Sequence, residues 1–223
     1  MPISKAFGSF LLFLRYLCID IIDISMDKPK KILVAFAVEG ERFPLHLDGA
    51  EVVEIVTGVG KTLAATAMAL AIVEHQPDLV LNVGTVGTYR HQVGDILVSR
   101  HFVDRDMLKL PLDMLKKRID MSDMSWGWEL RSVVGGAQSD HVVTINTGDN
   151  FVTQASEDLG CDAVDMEAFA EAWVCRQTAR PFLSVKYVTD VLGQNSIAVW
   201  EEKLAHARRD LEAYFATNSA KLV

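Results

Sequence analysis

Short apolar runs that stop at a glycine or a carboxylate recur along this chain, and longer stretches of helical character lie between them. Residues 32–38 form such a run behind a basic flank and read as a buried strand. Residues 51–56 read as a second, favoured by valine and isoleucine. Gly58-Val59-Gly60 then breaks the chain. Residues 62–74 read as an alanine-rich helix with Leu63, Met68, Ala71 and Ile72 available for burial, ended by Pro77. A strand over 78–83 is predicted to stop at Gly84-Thr85-Val86-Gly87, and Gly94 introduces another over 95–103. Further strands are predicted over 141–146 and 163–165, and over 181–188 closing on Thr189-Asp190. Helices are predicted over 167–177 and 200–215, the latter with Leu204, Leu211 and Phe215 on one side. Residues 107–123 read as irregular or helical. This alternation predicts one α/β domain with a largely parallel central sheet.

A chain of 223 residues, 50% apolar and 23% charged, can bury such a core without disulfides or metal. The net charge of -8 argues against a partner with a phosphate backbone, so no nucleic acid is expected. Cys18, Cys161 and Cys175 form no CxxC pair, which points to neither a disulfide framework nor zinc, and to a reducing cytoplasm. No metal and no cofactor are expected. Residues 10–24 are strongly apolar, but Arg15, Asp20 and Asp23 interrupt them, and a membrane span needs roughly 20 apolar residues. No small-residue cleavage site follows. Residues 1–25 therefore read as an extension upstream of a later start at Met26, with the domain over 26–223. An accessory helix or weak membrane association is the alternative for that segment.

In open α/β sheets, ligands bind beyond the carboxyl ends of the strands. The residues expected there are Glu39 and Glu41, Gly58 to Lys61, Gly84 to Gly87, Gly148 to Phe151, Asp165 to Glu167, and Thr189-Asp190. Carboxylates, glycine turns and an aromatic converge, as a small polar ligand with an aromatic moiety requires. Gly60-Lys61-Thr62 has the look of a phosphate-binding P-loop end. The full motif needs a glycine where Ile55 stands, so a plain strand–turn–helix junction explains it better.

Five motifs in order resemble the nucleoside phosphorylase and nucleosidase family. They are Thr57-Gly58-Val59-Gly60-Lys61, Asn82-Val83-Gly84-Thr85-Val86-Gly87, Val93-Gly94-Asp95-Ile96, Gly148-Asp149-Asn150-Phe151-Val152, and Asp165-Met166-Glu167-Ala168 ahead of Thr189-Asp190. Within the family, the chain is most similar to 5'-methylthioadenosine/S-adenosylhomocysteine nucleosidases, over about residues 32 to 215. The resemblance implies a single-domain three-layer sandwich around a central mixed, largely parallel sheet. It also implies hydrolysis of an N-glycosidic bond in a purine nucleoside, a role in methionine salvage, and a homodimer with no membrane association.

By the same resemblance, Asp190 is the general acid at the purine N7. Burial beside apolar residues would keep it protonated, and such a donor contributes about 10²–10⁴-fold. Glu41 matches the carboxylate that activates water, while Glu39 reads as a solvated loop carboxylate. Glu167 matches the residue that holds the ribose hydroxyls, where its charge would stabilise a cationic sugar. Met166 packs on the ribose, Phe151 stacks on the base, and the backbone of Val152 reads the base edge. Thr85, Val86 and Gly87 line the site from the glycine turn. Trp200 and Val38 flank the 5' group, and Lys186 is expected to pair with Glu41. For several of these, core packing or turn formation would explain the residue as well.

Related phosphorylases carry a phosphate loop after the first strand and an arginine where Asn82 stands. Here Glu41 occupies that region, so a dianion would be repelled and water favoured. Residues 42–53 are fewer than in better-known bacterial nucleosidases, where this region helps to form the dimer. Residues 107–128 match nothing and suit a lid or an interface. A phosphorylase with unusual phosphate contacts, a nucleosidase for adenosine or futalosine, and a non-catalytic nucleoside-binding protein remain open alternatives.

Overall fold

The computed structural model describes residues 31–124, 129–152, 160–192 and 196–222, without the side chains of 196–199. The N-terminal segment with Met26 lies outside the described residues, as do residues 125–128 of the unmatched segment.

Strand β1 (Lys31–Phe36) lies parallel between β2 (Glu51–Val56) and β3 (Leu79–Thr88). Every β1 residue after Lys31 is buried, which is why the run shows no polar alternation. Helix α1 (Lys61–His75) crosses from β2 to β3 and ends at Gln76, whose φ of 48° is left-handed.

Beyond α1, β3 becomes the shared element. It pairs with β1 through its first half and in parallel with β10 (Phe182–Val191) along nearly its whole length. Its last residues, Gly87 and Thr88, pair antiparallel with β9 (Ala163–Asp165). From β9 the sheet continues to β8 (Val143–Thr147), then to β4 (Ile96–Asp104), and β4 returns antiparallel to β10. The mixed sheet therefore closes a ring through β3, β10, β4, β8 and β9. Strand β5 (Arg118–Asp120) and the hairpin of β6 (Ser132–Val134) and β7 (Ala137–Ser139) extend it outward from β4.

Two helical layers complete the domain. α1 and α3 (Ala168–Gln177) cover one face, where Met68, Ile72, Phe169 and Ala172 pack on Leu33, Ala35 and Val80. α4 (Ser196–Asn218) covers the other, with Ala207, Leu211 and Phe215 on Ile32, Val34 and Phe36. Alternate β1 side chains serve opposite layers, as the pleat requires. Fully burying a side chain such as Phe36 or Phe215 contributes about 1.5–3 kcal/mol.

Several boundaries differ from the sequence reading. β1 ends at Phe36 and gives way to a 3-10 turn at Glu39–Glu41. β3 and β10 run on through Gly87 and Asp190, because their backbones stay paired with each other there. α1 buries Ala64 and leaves Leu63 exposed, together with Leu70 and Val73. Residues 107–123 hold the end of a single helical turn, α2 (Arg105–Leu108), and strand β5. The β6–β7 hairpin, turned by Gly135 and Gly136 at positive φ, has no counterpart in the sequence reading.

Candidate active site

The ends of β1, β3, β9 and β10 open on a cavity of about 260 Å³. All of the residues assigned to the site from sequence line it, except Lys186. Val38, Val59, Val86, Val152, Val164 and Leu192 make its walls largely apolar, and Phe151 stands half-exposed at the rim.

Glu41 reaches this cavity because the 3-10 turn swings its side chain back across β3. Its Oε1 accepts from the Thr85 backbone N–H at 2.8 Å and from the Thr85 hydroxyl at 2.6 Å, and its Oε2 accepts from the Ala37 N–H at 3.2 Å. A side chain at Gly84 would place its Cβ 2.9 Å from both carboxyl oxygens, so glycine is required for Glu41 to lie there. The Thr85 hydroxyl accepts in turn from the Trp200 indole N–H at 2.8 Å. Glu39 is exposed beside Arg42 and stays out of the cavity.

Asp190 occupies the wall formed by β10 and is 3% exposed. A β-bulge between Val188 and Asp190 shifts the register, so that Asp190 sits opposite Gly87. Bulges re-aim side chains, and this one lies at the site. Asp190 Oδ1 accepts from the Thr189 hydroxyl at 2.8 Å. Glu41 is bonded to Thr85 and Asp190 faces Gly87, two residues further along β3, a spacing of about 7 Å along the strand.

Glu167 is the N-cap of α3, yet it does not cap the helix. The first helical N–H groups are satisfied by Asp165, through Ala168 at 2.9 Å, and by the Thr147 hydroxyl, through Phe169 at 2.9 Å. Glu167 is thereby released toward the cavity, where its Oε1 accepts from the Gly60 N–H at 2.9 Å. Burial, and then the nearby Asp165, push its carboxyl up to about 8, against the pull of Lys186. Burial thus opposes the charge expected on Glu167 from sequence.

Lys186 lies behind the cavity wall and is 1% exposed. Its ion pair is with Asp165, at 3.4 Å, and not with Glu41 as expected. Burial opposes its charge, but Asp165, Glu167, Glu41 and Glu171 together outweigh burial and raise its pKa. Asn82, at the position an arginine takes in phosphorylases, is buried and accepts from the Ser184 hydroxyl at 2.7 Å.

Two functional neighbours escaped the sequence reading. Glu171 is four residues after Glu167 on α3, and its spacing alone marks a carboxylate on the buried side of the helix. Arg105 follows β4 directly and is buried, with its guanidinium donating to the Asn146 carbonyl at 3.1 Å and the Asn150 carbonyl at 2.7 Å. It holds the loop that carries Phe151 and Val152. Lys61 steadies the same loop: its N–H donates to Asp149 at 2.7 Å, and its ammonium bridges Asp104 and Asp106. That commitment is structural, in keeping with the rejection of a P-loop.

The chain matches the family model of the Phosphorylase superfamily over residues 36–218. It is 30% identical to a 5'-methylthioadenosine/S-adenosylhomocysteine nucleosidase of Colwellia psychrerythraea, covering 87% of each chain. It is 31% identical to the enzyme of the same name in Bacillus velezensis, over 72% of this chain and 77% of that one. Among solved structures, the Colwellia nucleosidase in complex with adenine superposes with a TM-score of 0.70 at 24% identity, over 87% of this chain and 96% of that one. Futalosine hydrolase of Helicobacter pylori superposes with a TM-score of 0.69 at 16% identity, over 86% of this chain and 100% of that one. These two likenesses concern the fold.

Proposed function

The chain belongs to the phosphorylase superfamily, and from that premise we propose that it is a nucleosidase. It hydrolyses the N-glycosidic bond of 5'-methylthioadenosine, S-adenosylhomocysteine or a related purine nucleoside, releasing adenine and a free (thio)ribose. The observation that carries this reading is the placement of Glu41 and Asp190 on two walls of one cavity, about two β3 residues apart. A sugar–base junction fits between them.

Asp190 donates a proton to the purine N7, so that the base leaves neutral. Glu41 removes a proton from water as its oxygen attacks the ribosyl carbon. Glu167 holds the ribose hydroxyls. As a carboxylic acid it can both donate to and accept from a diol, and the cationic sugar of the transition state favours its ionisation. Met166 covers the sugar, Phe151 stacks on the base, the Val152 backbone reads its edge, and Val38 with Trp200 flanks the 5' group.

Hydrolysis is favoured over phosphorolysis by charge. Among the described lining residues the one cation is Arg105, and two of its nitrogens already donate to backbone carbonyls. A phosphate dianion near Glu41 would meet a carboxylate instead. The protein works as a homodimer. Leu63, Leu70 and Val73 repeat along one exposed face of α1, and Val59, exposed at the cavity mouth, continues that patch toward the site.

Base release from 5'-methylthioadenosine, S-adenosylhomocysteine, adenosine and inosine, with and without phosphate, tests the assignment. Phosphate-independent release of adenine is expected. Release that requires phosphate and yields a ribose 1-phosphate overturns the hydrolase reading, and no release from any of them favours a binding protein. Asp190→Asn is expected to lose most turnover while retaining nucleoside binding.

A further inference from the structure

We propose that Trp200 is a positioning residue for the general base, acting through the Thr85 hydroxyl, and not only a wall of the 5' pocket. The proposal rests on the nucleosidase reading and deepens it. Trp200 Nε1 lies 2.8 Å from Thr85 Oγ1, which lies 2.6 Å from Glu41 Oε1. An indole N–H can only donate, so the hydroxyl must accept from it. The single hydroxyl proton is then directed at Glu41, and the three groups form a chain with one sense.

This chain makes the two carboxyl oxygens unequal. Among the described residues, Oε1 takes two donors, the Thr85 N–H and the Thr85 hydroxyl, while Oε2 takes only the longer bond from Ala37. Each carboxylate oxygen offers about two lone-pair sites, so Oε1 is filled and Oε2 keeps one open. Oε2 is therefore the oxygen that receives the proton of the attacking water. The water oxygen bonds to the ribosyl carbon, the C–N bond breaks, its electron pair goes to the purine, and Asp190 supplies the N7 proton. Without the indole, the Thr85 hydroxyl is free to turn away and the carboxylate to rotate, and the distinction between the oxygens is lost.

The test uses the full-length protein with Trp200→Phe, Thr85→Val, Thr85→Ser and Glu41→Gln. The first measurement needs no turnover. In ¹H–¹⁵N spectra each of the four tryptophans contributes one indole signal, and Trp200→Phe identifies its own. That signal is expected to move in Thr85→Val, to move less in Glu41→Gln, and to stay near its place in Thr85→Ser. The second measurement is base release. Trp200→Phe should lower kcat about 3- to 10-fold, the effect of one hydrogen bond, with KM little changed. In a Thr85→Val background it should cost nothing further.

An indole signal indifferent to Thr85→Val overturns the relay. So does a Trp200→Phe defect confined to KM, or one that adds fully to Thr85→Val. If Trp200→Phe does not fold, one indole signal that moves in Thr85→Val and stays near its place in Thr85→Ser supports the relay, and four indole signals unmoved in Thr85→Val overturn it. A wild type with the indole coupling but no base release refutes the nucleosidase reading and leaves the hydrogen-bonded chain standing.

Discussion

Glu171 is 0% exposed, and the side chains of Thr57 and Asn82 beside it compensate its carboxyl only in part. Burial pushes its carboxyl from 4.5 up to about 7, with Lys186 opposing the rise and Asp165 adding to it. Between those values the folded protein holds a proton that the unfolded chain has shed. Stability therefore falls as pH rises from the unfolded value toward 7, and levels off above it. Each tenfold step in proton activity is worth about 1.4 kcal/mol, so the full cost reaches about 3 kcal/mol. Glu171→Gln removes the titration and keeps the shape. The variant should match the wild type at low pH and exceed it by about 3 kcal/mol above neutrality, or roughly 6–12 °C in Tm for a chain of this size. Urea midpoints for both proteins from about pH 5 to about pH 8 measure the difference directly. Glu167 titrates in both proteins, so its contribution largely cancels. A difference that stays constant over that range, or shrinks as pH rises, refutes the reasoning.

Three further perturbations probe the site. Gly84→Ala puts a Cβ 2.9 Å from both Glu41 oxygens, and should cut kcat by on the order of 10²-fold while the far-ultraviolet circular dichroism spectrum is kept; unchanged turnover would mean that Glu41 does not act from this position. Lys186→Met leaves Asp165 without its buried counter-ion and should destabilise the fold by about 3–5 kcal/mol, read by denaturant titration, and a loss under about 1 kcal/mol contradicts the pairing. Leu70→Glu on the exposed face of α1 should convert a dimer to a monomer in light scattering, and a wild type that is already monomeric removes the case for the α1 interface.

Fold class was readable because the central strands are buried on both faces. Ile32 to Phe36 serve two layers, and a run of that kind has no other explanation in a chain of alternating elements. Most site residues were readable because glycine turns and carboxylates punctuate the apolar runs near the carboxyl ends of the strands, although Thr85 to Gly87 and Asp190 lie within the paired ends of β3 and β10. Ring closure through β9 and β4 was not readable, since it depends on which strand β3 meets after β1 has ended. The partner of Lys186 was missed because four carboxylates surround it, and sequence spacing does not rank their distances. Leu63 misled because helical period alone does not say which apolar face turns inward when both are apolar. Val59, Leu63 and Leu70 are exposed, whereas Ala64, Met68 and Ala71 are buried.

The bulge before Asp190 has an evolutionary corollary. Along a regular strand, side chains alternate between faces, so the length of the chain decides which face an acid occupies. The bulge lifts that constraint: it accommodates one extra residue between Val188 and Asp190, and Asp190 still takes the place opposite Gly87 that the residue after Val188 takes in a regular strand. Deleting Thr189 would leave the acid opposite Gly87, but without the hydroxyl that donates to its Oδ1 at 2.8 Å. The spacing of acid and base is therefore held by their common partner β3, through Thr85 and Gly87, and tolerates the gain or loss of the residue between Val188 and Asp190.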